Sequence, residues 1–278
     1  TIPSGQDGYI HPWGGFTLTH NGTITGDGDL FKTDGGALEL TGTDSHTGDT
    51  QINAGTLTVS GSGAITQASI VRNRGGGVTI NVEDSASVNA LDYMVFGDNS
   101  GASATINQSG GTVANQGTAN NPGGNDMANR WGHWGGGATV SYNLSGGTLD
   151  LLGAPLYLSW DSAATLTVSG SGEANIKGFN MGYGGRNNAS TINLNSGGTL
   201  NVGSDGIVTG GTSSKNINLS GGTLGSLASW STSRPMTLSG TSDVSPSVSH
   251  TITLSGVLSG TGGLSKSGAG TVLLGNGA

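Results

Sequence analysis

The chain has 278 residues, 55 of them Gly and none Cys, and 17 Asp and Glu outweigh 9 Lys and Arg for a net charge of −8. Disulfides are excluded as a source of stability, and so few, scattered cations exclude phosphate-neutralising nucleic-acid binding and attraction to anionic membrane. The most apolar stretch, 149–158, is broken by Asp150, Gly153 and Pro155 and falls short of the ~18 residues of a membrane helix, so membrane insertion is not expected.

The chain opens on Thr1 without a signal-peptide pattern and is read as a mature or trimmed form. Residues 1–21, with Tyr9, Pro12, Trp13 and Phe16, form a cap or a docking segment. Residues 22–60 alternate apolar and polar positions between Gly corners and end in Leu57-Thr-Val59. From 61 to 255 one phrase recurs. Ser-Gly-Gly-Thr stands at 109–112, 145–148, 196–199 and 220–223, each time between an alternating run and a new apolar residue.

The Gly corners lie 36, 51 and 24 residues apart, and a weaker corner at Gly170-Ser-Gly172 halves the 51. The coil is therefore about 24–27 residues, with an insertion after Val113 that spans 114–137. Strand, Gly corner and strand at a fixed period predict a solenoid. The expected fold is all-β, a parallel β-helix with about three short strands per coil. The runs Met94-Val-Phe-Gly97, Leu156-Tyr-Leu-Ser159 and Phe179-Asn-Met-Gly182 supply one strand of each coil. Ile106, Leu144, Ile192 and Ile217 should point inward, while Asn107, Asn143, Asn193 and Asn218 point outward or form ladders.

The insertion is the most distinctive local feature. It holds Asn120-Asn121-Pro122, Asp126, Arg130, Trp131, His133 and Trp134. Loops inserted into solenoids commonly carry function. Two Trp rings beside Arg, Asp and Asn suit a sugar, with rings on pyranose faces and polar groups on hydroxyls. The same rings also suit packing on the coil or on a neighbouring subunit. Asp126, Arg130, Trp131, His133 and Trp134 are therefore the candidate glycan-binding residues.

Other chemistry is poorly supplied. The carboxylate pairs Asp126 with Asp150 and Asp161 with Asp205, and the group Asp161, Lys177 and Arg186, have the look of scattered surface residues. The five His are isolated and no Cys accompanies them, so no metal site and no cofactor are expected. Asp27 with Asp29 and Asp44 with Asp49 do not follow a calcium-loop pattern. Thr-x-Thr runs do not recur once per coil and reflect strand propensity. No catalytic residue is assigned, and an enzyme is not expected.

The two ends match. Gly26-Asp-Gly-Asp-Leu30-Phe-Lys32-Thr-Asp-Gly-Gly36-Ala-Leu-Glu-Leu40 aligns in register with Gly260-Thr-Gly-Gly-Leu264-Ser-Lys266-Ser-Gly-Ala-Gly270-Thr-Val-Leu-Leu274. The first copy continues through Thr47-Gly48-Asp-Thr50-Gln-Ile-Asn53-Ala-Gly55-Thr-Leu57, whereas the partial copy at 256–278 stops before that half. This pattern resembles the autotransporter-associated β-strand repeat of large secreted bacterial proteins. The resemblance implies a passenger-type parallel β-helix and an extracellular or cell-surface location. It names no activity.

An open last coil offers an unpaired β edge. The missing half-repeat either comes from the next subunit, which would stack head to tail into a filament, or lies in a longer chain. The sequence thus predicts a β-helical subunit of a surface fibre or filament. The alternative is an adhesin or glycan-binding module that uses residues 126–134 toward surface glycans. A carbohydrate-active enzyme ranks third.

Overall fold

A computed structural model describes residues 1–115, 129–134, 136–183, 188–210 and 214–275. Among these there is no helix, and all ladder pairing between named strands is parallel. The strands form sheets of 15, 11 and 3 members, stacked as a β-solenoid of about 10 turns with three strands per coil. The predicted fold class is the observed one.

Alternation sets the register. In the eleven-stranded sheet Leu38, Leu57, Ile80, Ile106, Tyr142, Leu166, Ile192 and Ile217 lie directly above one another. Each is buried, and together they run as one apolar column along the rod. Every second residue faces inward because side chains alternate sides along a strand. A one-residue slip would expose the whole column.

The outward neighbours form the ladder expected of them. Asn81 Nδ2 donates to Thr58 Oγ1 at 3.2 Å, Asn107 to Asn81 Oδ1 at 3.1 Å, and Asn143 to Asn107 Oδ1 at 3.0 Å. Farther along, Asn193 donates to Thr167 and Asn218 to Asn193. A second ladder on the fifteen-stranded sheet runs from Asn201 through Asn175 to Asp150, with both bonds 2.8 Å. Asp150, considered above as half of a carboxylate pair, is thus a ladder acceptor.

Ladder partners are 26 residues apart from Asn81 to Asn107, 36 from Asn107 to Asn143, and 25 from Asn193 to Asn218. The long interval holds the insertion. Its flanks belong to the coil, because Thr112–Asn115 pairs with Thr148–Leu151 and Asn129–Trp131 pairs with Leu156–Leu158. Residues 114, 115 and 129–131 of the expected 114–137 insertion are therefore coil strands, and its Asn120, Asn121, Pro122 and Asp126 lie outside the described residues. Coils near both ends are shorter than predicted, with Thr19 bonded to Glu39 20 residues away and Ser220 to Ser239 19 residues away.

In mid-rod, two of the three strands of a coil can be one bent strand. Ser87–Phe96 and Glu173–Met181 bend at register shifts near Ala90 and between Ile176 and Gly178. Met94 and Phe179 lie beyond those bends, so the short strands expected there are the second halves of longer ones. Bulges of this kind add twist and re-aim side chains.

Residues 1–21 form the first coil, with Asp7–Ile10 pairing Asp29–Lys32 and Thr17–His20 pairing Ala37–Leu40. In the next coil Lys32 is buried, and its Nζ donates to the carbonyls of Thr33, Asp34, Gly36 and Ala54 at 2.7–3.0 Å. Burial pushes its pKa below the ordinary lysine value, with Asp34 opposing the shift. The lysine of the end motif is therefore a structural clasp that ties a corner to the following coil. Nearby, His46 and Asp44 are buried as a pair, Nδ1 to Oδ1 at 2.5 Å.

Candidate functional site

The chain leaves the strands Asn129–Trp131, Leu156–Leu158 and Glu173–Met181 through one corner position in three successive coils. Gly132, Ser159 and Gly182 occupy it with φ of +70°, +72° and +96°. Left-handed backbone is natural for Gly and unusual for Ser. Ser159 is held there by its hydroxyl, which donates to Ala189 O at 2.6 Å and accepts from Ala164 N–H at 2.8 Å. The corner directs the following residues, His133, Trp160 and Tyr183, to the flank of the rod.

These three residues and the outward face of the sheet build an aromatic stack. Trp160 lies on Tyr183 with centroids 3.5 Å apart and planes 11° from parallel. The Arg130 guanidinium sits 4.6 Å from the Trp160 ring centre, a cation–π contact. Tyr157, in register with Arg130, is tilted against Trp160 at 4.8 Å. His133 meets Trp160 and Trp134 edge-on, at 5.7 and 5.5 Å.

A polar network continues toward the N-terminal coils. Arg130 Nη1 lies 3.1 Å from His133 Nε2, and His133 Nδ1 lies 2.7 Å from Asp98 Oδ1. Guanidinium only donates, so Nε2 accepts and Nδ1–H donates to Asp98. Arg74 Nε and Arg72 Nη1 donate to Asp98 Oδ2 at 3.1 and 3.3 Å, and Arg72 also pairs with Asp49. Burial opposes the Asp98 charge. The hydrogen bonds from His133 and Arg74, with the positive charge of Arg72, outweigh it and hold the carboxyl below its usual range.

The residues expected at a glycan site are thus divided. Arg130 and His133 are brought together, and Trp134 is 57% exposed beside them. Trp131 corrects the expectation of a second surface ring. It is 0% exposed and stacks on Tyr142 inside the coil, 4.9 Å apart and 3° from parallel. Inward alternation places it there, since Arg130 and Gly132 flank it in the strand and corner. Asp126 and Arg186 lie outside the described residues.

Sequence reasoning missed Trp160, Tyr157 and Tyr183. Their signal was available, because Trp160 follows the Leu156-Tyr-Leu-Ser159 run at the same offset at which Tyr183 follows Phe179-Asn-Met-Gly182. Beside this stack is a cleft of about 170 Å³ lined by Pro155, Tyr157, Gly178, Phe179, Asn180, Asp205 and Val208. Among the described residues no three His, Asp or Glu side chains group as metal ligands.

Comparison with protein families matches residues 30–59 to the passenger-associated-transport-repeat. That segment holds the Lys32 clasp and the inward Leu30, Leu38, Leu40, Ile52, Leu57 and Val59. The chain therefore carries a passenger-type repeat within a β-solenoid. Comparison with curated proteins and with solved structures gives no match.

Proposed function

We propose that this chain is a β-helical rod of a secreted, surface-exposed bacterial structural protein, and that rods join head to tail into a fibre. The passenger-type repeat and the solenoid support an extracellular role for a rod-like body. Assembly is read from exposed apolar side chains on the first and last described coils, faces on which a further coil can stack. Trp13 and Phe16 are 76% and 71% exposed at one end, and Leu273 and Leu274 are 51% and 55% exposed at the other. Contiguous exposed apolar surface of this kind marks an interaction face.

Lys266 adds to the argument. It stands at the position of Lys32 but is exposed, and among the described residues its Nζ bonds only the local carbonyls of Ser267 and Gly268, at 3.0 Å. A second copy stacked on this coil would offer Lys266 the kind of carbonyl that Lys32 takes from Ala54. Such a heterologous contact does not close and so propagates. Eleven rungs at ~4.8 Å give a subunit of roughly 50 Å. Negative-stain electron microscopy over a concentration series tests this. Fibres with an axial repeat near that length are expected. Dispersed short rods at every concentration would overturn assembly.

A second reading is a glycan-binding flank. It is favoured by the Arg130–Trp160–Tyr183 stack with exposed Trp134 alongside, an aromatic surface edged by hydrogen-bonding groups. Loss of oligosaccharide binding in Trp134→Ala supports it, and no binding by the native chain removes it.

A further inference from the structure

We propose that the cleft beside the aromatic stack is a subsite for one ring of a neutral saccharide. This rests on the glycan-binding reading and names where and what that flank would bind. The cleft is built rather than incidental. Between Glu173–Met181 and Thr199–Thr209 the register shifts after Ile176, and Gly178 pairs with Gly206. The surplus on the second strand carries Asp205 outward as one wall. A side chain at Gly178 would run into Asp205, so Gly keeps the floor clear. Bulges next to binding sites commonly serve to re-aim a side chain in this way.

The lining has the two kinds of surface a sugar presents. Tyr157, Pro155 and the half-exposed Val208 offer apolar surface for C–H faces. Asn180 Oδ1 and the Asp205 carboxylate offer acceptors for hydroxyl donors. Asn180 Oδ1 is buried and accepts no hydrogen bond from the described residues. Such an orphan is costly unless a donor reaches it, and a ligand hydroxyl is a donor. Asp205 is exposed and, among the described residues, accepts only from Ser204 Oγ, at 3.2 Å.

Charge decides between sugars. Among the described residues the lining holds one carboxylate and no Lys or Arg, a balance that disfavours uronic and sialic acids and admits neutral rings. The volume is below the ~300–1,000 Å³ of sites for drug-sized molecules, in keeping with a single ring while the rest of the chain lies along the flank.

Isothermal titration of the full chain with maltohexaose, cellohexaose, chitohexaose and polygalacturonate tests the proposal, with circular dichroism to confirm that each variant is folded. Expected is binding of at least one neutral hexasaccharide, weakened about tenfold or more by Asn180→Ala and by the exposed-site variant Asp205→Ala. Binding that both variants leave intact but Trp134→Ala abolishes would overturn the cleft and leave the glycan reading standing. Preference for polygalacturonate would overturn the neutral class, and no binding of any probe would overturn both readings.

Discussion

Trp131 and Tyr142 stack 4.9 Å apart inside the coil that carries the insertion, one at the end of a three-residue strand and the other in mid-strand on a different sheet. Both are 0% exposed. Their contact pins the strand Asn129–Trp131 to the body of the rod. Trp131→Ala is expected to destabilise by about 3–5 kcal/mol, the usual cost of emptying a large aromatic site. The urea midpoint of unfolding measures it. Trp134→Ala, at the exposed neighbour, should shift the midpoint little. Equal losses in the two variants would contradict the burial of Trp131.

Tyr142 and Gln108 interrupt adjacent apolar columns and satisfy each other. Tyr142 Oη donates to Gln108 Oε1 at 2.7 Å, and Gln108 Nε2 donates to the carbonyls of Gly110, Gly111 and Thr148. Removing one partner leaves the other buried and unpaired, at about 1–3 kcal/mol. Gln108→Leu should therefore cost more alone than together with Tyr142→Phe, since the double variant restores an all-apolar contact. A double-mutant cycle in urea reads the coupling. Simple additivity would show that the pair stands apart energetically.

The repeats were legible because alternation and Gly corners are local. Ile106 and Ile192 face inward, and Asn107 and Asn193 form the ladder, because neighbours one coil away repeat the same pattern. The flank was less legible. Trp131 and Trp134 sit three residues apart in one Trp-rich run, yet strand alternation buries the first and the corner exposes the second. Placing them requires knowing which residue begins the corner, and Gly132 marks it only once its register with Ser159 and Gly182 is known. The cleft was invisible for a similar reason. It depends on a register shift between two strands, and neither strand encodes that shift alone.

Asp98 links the charge network to acidity. Its side chain is 6% exposed and is held ionised by His133, Arg74 and Arg72. Its folded pKa is depressed, so the unfolded chain, at about 3.9, takes up the proton first as pH falls. The stabilisation is fully present above that value and is lost as pH drops through the lower folded value. Asp98→Asn should be less stable than the native chain at neutral pH, and the gap should narrow below the ordinary carboxylate range. Urea midpoints from neutral pH down to strongly acidic buffer check this. A gap that stays constant across the range would mean that Asp98 acts by shape and not by charge.

The Asn ladder makes a sharper demand on chemistry than on size. Asn107 donates to Asn81 Oδ1 and accepts from Asn143 Nδ2, so its position needs a donor toward one coil and an acceptor toward the other. Thr58 and Thr167 fill the same column elsewhere, each accepting from the Asn of the next coil. Asn107→Thr should therefore be nearly neutral. Asn107→Asp keeps the acceptor but sets a carboxylate against Asn81 Oδ1, at a cost of about 1 kcal/mol or more. Protonation supplies the missing donor, so the Asp variant should regain stability relative to the native chain as pH falls through the carboxylate range. Thermal or urea unfolding of the three proteins at neutral and acidic pH reads this. If Asp and Thr were equivalent at neutral pH, the ladder would contribute nothing beyond filling space on the outer face.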